Sequence, residues 1–183
     1  MRYHIIVNPV SGHGKAVEFV ATHVVPLMQH LGVQYTAHRT TGERDAGRIG
    51  KEILEREKED EVVVIIAGGD GTAHEMIEGV LDVVPLDMLG RWTLAVLPLG
   101  TANALFHSLF APGSPLPTGI LPDILSFLDS RGTSESDLHS LTSLLLALSK
   151  SEGNRRRLPI TFTEITPSAE AMTPTTPIPS HIV

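Results

Sequence analysis

Apolar and polar positions along the chain alternate between two periods. Tyr3 to Val7 is a short apolar run closed by Asn8-Pro9, and it reads as a buried strand. Val17, Ala21, Val24, Met28 and Leu31 then recur at helical spacing, with Pro26 predicting a kink and Gly32 a stop. Val33 to His38 predicts a second strand. Ala46, Ile49 and Ile53 line one face of a second helix whose far end, Glu55 to Glu61, is densely charged. Val62-Val63-Val64-Ile65-Ile66-Ala67 is the clearest strand. It is apolar throughout and mostly β-branched, which fits a strand buried on both faces of a parallel sheet. A helix over Thr72–Leu81, a strand over Thr93–Leu97 and a helix over Thr101–Phe110 follow.

Strand–helix alternation of this kind predicts an α/β fold, a parallel sheet flanked by helices. Ligands in such sheets bind outside the carboxyl ends of the strands. Three loops bearing Gly or Asn fall there, after Val7, after Ala67 and after Leu97, and this coincidence argues for one shared site. From Ala111 the pattern changes. Ala111–Thr118 is a Pro/Gly-rich loop, and Ile120–Leu128 and Leu138–Leu148 predict two more helices, the second after a Ser-rich start at 133–136. Leu158–Ile165 predicts a strand. Residues 166–183 carry four prolines among Thr and Ser with one charge, too little apolar surface to fold alone.

Gly68-Gly69-Asp70-Gly71-Thr72 stands between the clearest strand and a helix. Its glycines permit positive φ and close approach of the backbone to a ligand, and amides at a helix start favour phosphate. Asp70 is placed to hold Mg²⁺ or to accept a proton from an attacking hydroxyl. A plainer reading stands beside this one: Thr72-Ala73-His74-Glu75 fits a capping box that would start the helix without any ligand. Asn8-Pro9-Val10-Ser11-Gly12-His13-Gly14-Lys15 reads as a turn able to offer a hydroxyl from Ser11 and an ammonium from Lys15 to phosphate. It lacks Walker A spacing, and an Asn-Pro turn is often only a turn. In Pro98-Leu99-Gly100-Thr101-Ala102-Asn103-Ala104, Thr101 and Asn103 serve equally as helix caps or as ligands. Thr40-Thr41-Gly42-Glu43 is a weaker signal of the same kind.

Taken in order, Asn8–Gly12, Gly68–Thr72 and Pro98–Asn103 resemble the N-P-x-S-G, G-G-D-G-T and P-x-G-T/S-x-N motifs of the diacylglycerol and sphingosine kinase catalytic domain. The resemblance covers about Tyr3 to Phe110. G-G-D-G-T by itself is shared with NAD kinases and phosphofructokinases. His74-Glu75-Met76 and Asn103-Ala104-Leu105 are similar to the sphingosine kinase branch. Diacylglycerol kinases place Asp where this chain has Ala104, so the role of that Asp, metal binding included, does not carry over.

The resemblance implies a phosphofructokinase- or NAD-kinase-like nucleotide-binding domain that holds ATP with Mg²⁺. Its nucleotide site would comprise Asn8, Pro9, Val10, Ser11, Gly12, Lys15, Thr40, Gly68, Gly69, Asp70, Gly71, Thr72, Glu75, Gly100, Thr101 and Asn103. Asp70 is the implied catalytic acid/base and candidate Mg²⁺ ligand, although the bacterial diacylglycerol kinases assign the base to a residue of a second domain. The acceptor implied is a lipid hydroxyl, on a sphingoid base or diacylglycerol. Family members continue into a β-rich second domain that supplies the lipid pocket, and here residues 151–165 read as the strand entering it. Residues 1–150 are then the catalytic domain and 166–183 a Pro/Thr-rich tail, with the second domain apparently missing. A nucleotide-binding fragment or regulatory remnant without turnover, and an NAD kinase, are the competing expectations.

Composition narrows the alternatives. A net charge of −7 over 183 residues argues against a nucleic-acid partner. Arg155-Arg156-Arg157 is the one basic cluster, enough for transient contact with a membrane surface and more commonly a solvated loop. There are no cysteines, so disulfides and Cys-based metal sites are excluded. The nine histidines show no metal-ligand spacing, and His4, His23, His30 and His107 read as structural or surface residues. Ser11 has no evident His/Asp partner, against a serine hydrolase. No apolar run reaches membrane-span length, so the expected location is cytoplasmic, peripheral to membranes at most.

Overall fold

A computed structural model describes residues 1–57, 61–83, 90–111, 116 and 120–149. Four strands, β1 (Arg2–Val7), β2 (Tyr35–Arg39), β3 (Val62–Gly68) and β4 (Trp92–Pro98), pair in parallel in the order β2-β1-β3-β4. β3 is buried along its whole length, as its unbroken apolar run predicts. Side chains alternate across the sheet. Ile5, Val63, Ile65, Ala67, Ala95 and Leu97 face one core, and Ile6, Val62, Val64 and Ile66 face the other.

The first core is closed by α1 (Lys15–Phe19), α2 (Val25–His30), α6 (Pro122–Ser130) and α8 (Thr142–Leu148). The second is closed by α3 (Asp45–Arg56) and α4 (Asp70–Leu81). α5 (Ala104–Leu109) packs on α8 through Phe106 and Leu146, and α7 (Glu135–Ser140) leads into α8. The Ser143 hydroxyl accepts the Val96 amide at 3.0 Å, so α8 covers a polar group on β4 that would otherwise be an open edge.

The Pro26 kink takes the form of a π turn. α1 and α2 are joined through Val20–Val24, where the Val25 amide reaches the Val20 carbonyl. Pro26 has no N–H to give the Thr22 carbonyl, which instead meets Arg131 Nη2 at 3.4 Å. Gly32, at φ +63°, ends α2 in a Schellman motif: its amide bonds Gln29 and the Val33 amide bonds Met28. Val33 is thereby occupied, and β2 starts at Tyr35 rather than at Val33. The second predicted late helix divides at Leu141 into α7 and α8, with the Ser134 hydroxyl capping α7 through the Asp137 amide. The strand predicted over Leu158–Ile165 lies outside the described residues.

His4, on β1, is 2% exposed, and its Nδ1 lies 3.1 Å from His38 Nε2 on β2. Burial, then the neighbouring His38, Arg56 and Arg2, push its pKa down to about 4, and burial lowers His38 as well. Both rings are therefore held neutral in the fold and gain protons more readily once unfolded. Their stabilisation is complete above the ordinary histidine pKa and is lost as pH falls from about 6.5 toward 4. We expect unfolding free energy to drop on the order of 1 kcal/mol between pH 7 and pH 5. His4→Gln should flatten that dependence in denaturant titrations, and an undiminished slope in the variant would remove His4 as its source.

Candidate functional site

The order in which strands are added reverses at β1, which is followed by β2 on one side and then by β3 on the other, so the carboxyl ends of β1 and β3 flank the crevice in which open α/β sheets place ligands. Backbone bonds carry the ladder past each strand end. Asn8 N–H reaches Ala67 O, Thr40 N–H reaches Val7 O and Leu99 N–H reaches Gly68 O, at 3.0–3.1 Å. Four loops are thus level with one another: Asn8–Gly14, Thr40–Arg44, the turn at Gly69, and Leu99–Asn103.

Side chains and close backbone approaches then lock these loops together. Asn8 donates from Nδ2 to Thr72 Oγ1 at 2.9 Å and accepts the Val10 amide on Oδ1 at 3.1 Å. A Cβ on Gly100 would lie 2.3 Å from Gly69 Cα, and one on Gly12 would lie 2.7 Å from the Leu99 carbonyl oxygen. The Asp70 carboxylate accepts the Ala104 amide on Oδ2 and the Leu105 amide on Oδ1, both at 2.9 Å. Those two amides, Leu105 first, hold Asp70 below the usual carboxylate range. Asn103 turns back on its own loop, accepting Gly100 N–H at 2.8 Å and donating to Gly100 O at 3.0 Å.

Two shallow clefts open on either side of the Asn8–Gly12 turn. The first, about 280 Å³, is lined by Asn8, Pro9, Val10, Thr40, Thr41, Gly42, Glu43, Thr72 and Glu75. The second, about 330 Å³, is lined by Gly12, His13, Lys15 and Pro98–Thr101. Of the residues expected from sequence, Asn8, Pro9, Val10, Thr40, Thr72 and Glu75 meet in the first cleft, and Gly12, Lys15, Gly100 and Thr101 in the second. Ser11 lies in the short turn after β1, its amide on the Asn8 carbonyl. Gly68, Gly69, Asp70, Gly71 and Asn103 line neither cleft; Asp70 ties α4 to α5, and Asn103 closes its own turn onto Gly100.

Three expectations change. α4 begins at Asp70, with Gly69 as its N-cap, so Thr72 is not an N-cap and the capping box does not form. The Thr72 hydroxyl is taken by Asn8 instead. Because Gly69 has no side chain to cap with, the first amides of α4 have no partner within the helix. Second, none of the glycines between 68 and 71 adopts positive φ; Gly69 is extended, at φ −102° and ψ −173°. Gly69 lies tightly against Gly100, and of the two it is Gly100 that has no room for a side chain. Third, α5 starts at Ala104, not Thr101, because Gly100–Asn103 is consumed by the turn that Asn103 closes.

Positive φ falls elsewhere. Among the described residues, the non-glycine cases are His13, Arg44 and Asn103, each at the carboxyl-end mouth of the sheet, where strained backbone commonly collects around ligands. Asp45 is a residue that sequence reading missed. Its buried carboxylate accepts Thr41 N–H at 2.7 Å, Thr41 Oγ–H at 2.9 Å and Arg48 Nε–H at 2.7 Å, fixing the Thr40–Glu43 wall of the first cleft. The Thr41 amide, above all, keeps Asp45 ionised. An acid at the first position of a helix, three residues after Gly42 of the Thr40–Glu43 turn, was the available signal.

No group of three or more His, Cys, Asp or Glu side chains arranged to hold a metal ion occurs among the described residues. Asp70 stands at the first position of α4, with each oxygen already engaged once and further lone pairs free. That donor set suits a Mg²⁺ ion carried mainly by nucleotide phosphates, not a cage built by the protein. No helix among the described residues is long and apolar enough to cross a membrane.

A parallel α/β sheet with glycine-bearing loops interlocked over an uncapped helix start at its switch point has the architecture of a nucleotide-binding α/β domain. The profile of the diacylglycerol kinase catalytic domain matches residues 2–134, and the chain belongs to that family. It is 37% identical over 114 residues to a diacylglycerol kinase of Bacillus subtilis (strain 168), covering 61% of this chain and 34% of that one. It is 33% identical over 107 residues to the human mitochondrial acylglycerol kinase, covering 58% and 24%, and 28% identical over 109 residues to human sphingosine kinase 1, covering 59% and 27%. A solved diacylglycerol kinase from Bacillus anthracis str. Sterne aligns with a TM-score of 0.45 at 29% identity, over 61% of this chain and 37% of that one. The chain therefore spans about a third or less of these curated relatives.

Proposed function

We propose that this chain carries the nucleotide-holding part of a lipid kinase, which transfers the γ-phosphate of ATP to a lipid hydroxyl. The observation that carries the reading is the interlock of three loops around the uncapped start of α4, in a chain of this family. The relatives' names, diacylglycerol, acylglycerol and sphingosine kinase, share one acceptor chemistry, an alcohol on a lipid. Family membership sets the NAD kinase alternative aside. In this reading the lipid oxygen forms the new bond to the γ-phosphorus as the bond to the β–γ bridging oxygen breaks. The hydroxyl proton leaves to a base, and ADP departs.

The residues divide this work. The first cleft takes the nucleoside, with Pro9 and Val10 offering apolar contact and Glu43 and Glu75 able to accept ribose hydroxyl protons. Two carboxylates there disfavour phosphate, so the phosphates run toward the α4 amides and on to Gly12, Lys15 and Thr101 at the second cleft. Mg²⁺ bound with the triphosphate would supply charge neutralisation there, and Asp70, at the first position of α4, is the residue that would hold it. Diacylglycerol and sphingoid bases remain the acceptor candidates. Residues that would choose between them, a β-rich second domain and any contact with a membrane surface belong to the same proposal. A nucleotide-binding module without turnover is the second reading, consistent with the loop interlock alone.

The test is calorimetry of the chain with ATP–Mg²⁺. We expect weak binding and a melting temperature that rises with ligand occupancy. A folded chain that takes up no ATP at millimolar concentration would end both the kinase and the module readings.

A further inference from the structure

We infer that Asp70 is a positioning residue: its carboxylate ties the Gly68–Thr72 turn to the start of α5 and so shapes the seat for the nucleotide phosphates, while the proton of the lipid hydroxyl goes to another group. The inference deepens the kinase reading and rests on it for the identity of the ligand. It departs from the acid/base role that the family resemblance implies for this aspartate.

The geometry is specific. Asp70 stands at the first position of α4, and its two oxygens each receive a separate amide of α5, from Ala104 and Leu105, at 2.9 Å. α5 needs such an outside partner. Its own N-cap, Asn103, has positive φ and folds its side-chain amide back onto Gly100, so it offers α5 no cap. An acid 34 residues earlier in the chain supplies what the local sequence does not. The same contact lies beside the closest approach between the two motifs, where Gly100 leaves no space for a side chain against Gly69. Four connections, two from Asp70, one at the Gly69–Gly100 approach and one from Asn8, therefore set the relative position of the loops.

Charge points the same way. A carboxylate at a phosphate-binding helix start would oppose the phosphates if it faced them. Here two amide donors draw it toward α5, leaving the α4 amides free of it. The same two donors occupy one lone pair on each Asp70 oxygen and direct the carboxylate at the start of α5, away from an acceptor hydroxyl in the clefts. A positioning residue acts on ground-state binding, whereas a general base acts on turnover and leaves nucleotide affinity almost unchanged.

Asp70→Asn separates the two roles in the chain as it stands. The carboxamide keeps the shape, but its NH₂ faces an amide donor, so one tie is lost. We expect hydrogen exchange at Ala104 and Leu105 to quicken by about tenfold or more, with the β3 amides unchanged, and ATP–Mg²⁺ affinity to fall by about tenfold or more. If the Asn variant does not fold, Asp70→Ser and Asp70→Ala give the same information. The serine hydroxyl can accept one amide, so exchange protection and ATP affinity should rank Asp above Ser above Ala. Wild-type exchange at Ala104 and Leu105 in these variants would disprove the tie, and wild-type ATP affinity would disprove positioning. If the unaltered chain binds no ATP, the kinase reading falls, yet the exchange measurement still decides whether Asp70 holds α5.

Discussion

Gly100→Val is expected to eliminate ATP–Mg²⁺ binding while leaving the sheet intact. The case rests on space alone. A Cβ on Gly100 would sit 2.3 Å from Gly69 Cα and 3.0 Å from Gly69 N, and both atoms belong to backbone that the β3 ladder and α4 hold in place. The two nearest atoms are backbone and cannot yield as the end of a flexible side chain would, so the Leu99–Asn103 loop must move off the Gly68–Thr72 turn. Overpacking of this kind costs about 1–3 kcal/mol, which corresponds to roughly 5- to 150-fold if the ligand has to restore the closed arrangement. Valine, with two more methyl groups, belongs at the upper end or beyond. The glycines are not equivalent. A Cβ on Gly69 meets Gly100 Cα at 3.1 Å, a distance that a shift of a few tenths of an ångström relieves. Gly69→Ala should therefore bind ATP better than Gly100→Ala. Calorimetry on both variants, with circular dichroism to confirm the fold, checks the ranking; equal affinities would mean the two loops are not in contact in solution.

The second large effect is on stability, at the crossing of α3 and α4. A Cβ on Gly79 would come within 2.5 Å of Gly47 Cα and Gly47 O, so the two helices touch backbone to backbone there. Replacing a mid-helix glycine with alanine normally stabilises by about 1 kcal/mol through helix propensity. At Gly79 the clash reverses the sign, because its cost of about 1–3 kcal/mol meets atoms on both sides that cannot rotate away. We expect Gly79→Ala to lower the melting temperature by a few degrees, and Gly79→Leu by about 6–12 °C, since a chain of this size loses roughly 2–4 °C per kcal/mol. Gly71, in the first turn of the same helix, has nothing within 4 Å of where a Cβ would go. Gly71→Ala should leave the melting temperature unchanged or raise it. Parallel thermal scans would reveal whether the helix crossing or the helix itself sets the outcome.

Much of the site was legible in the chain because the three motifs occupy the loops after β1, β3 and β4, and parallel strands carry all such loops to one end. What those residues do there was less legible. Asn8, Thr72, Asp70 and Asn103 read as ligands or caps of their own helices, whereas much of their hydrogen bonding joins or closes the loops. Spacing along a sequence shows which residues share a loop, but not which loop a side chain will reach across to. Asp45 was missed for the same reason, since a carboxylate that fixes Thr41 looks like any acid in a helix's first turn.

By itself the sequence determined the α/β class, the parallel sheet, the positions of its strands and the turn-rich ends on which the family's motifs lie. It could do so because these are local properties: apolar period, β-branching, and Gly, Pro and Asn punctuation. Only the tertiary structure decided that α4 starts at Asp70, that Gly100 and Gly79 are required for space and not for positive φ, that the buried His4 pairs with a half-buried His38, and that Asp70 supports α5. Each of these depends on atoms distant in the chain meeting within about 3 Å, where one methyl group or one unpaired donor outweighs local preference.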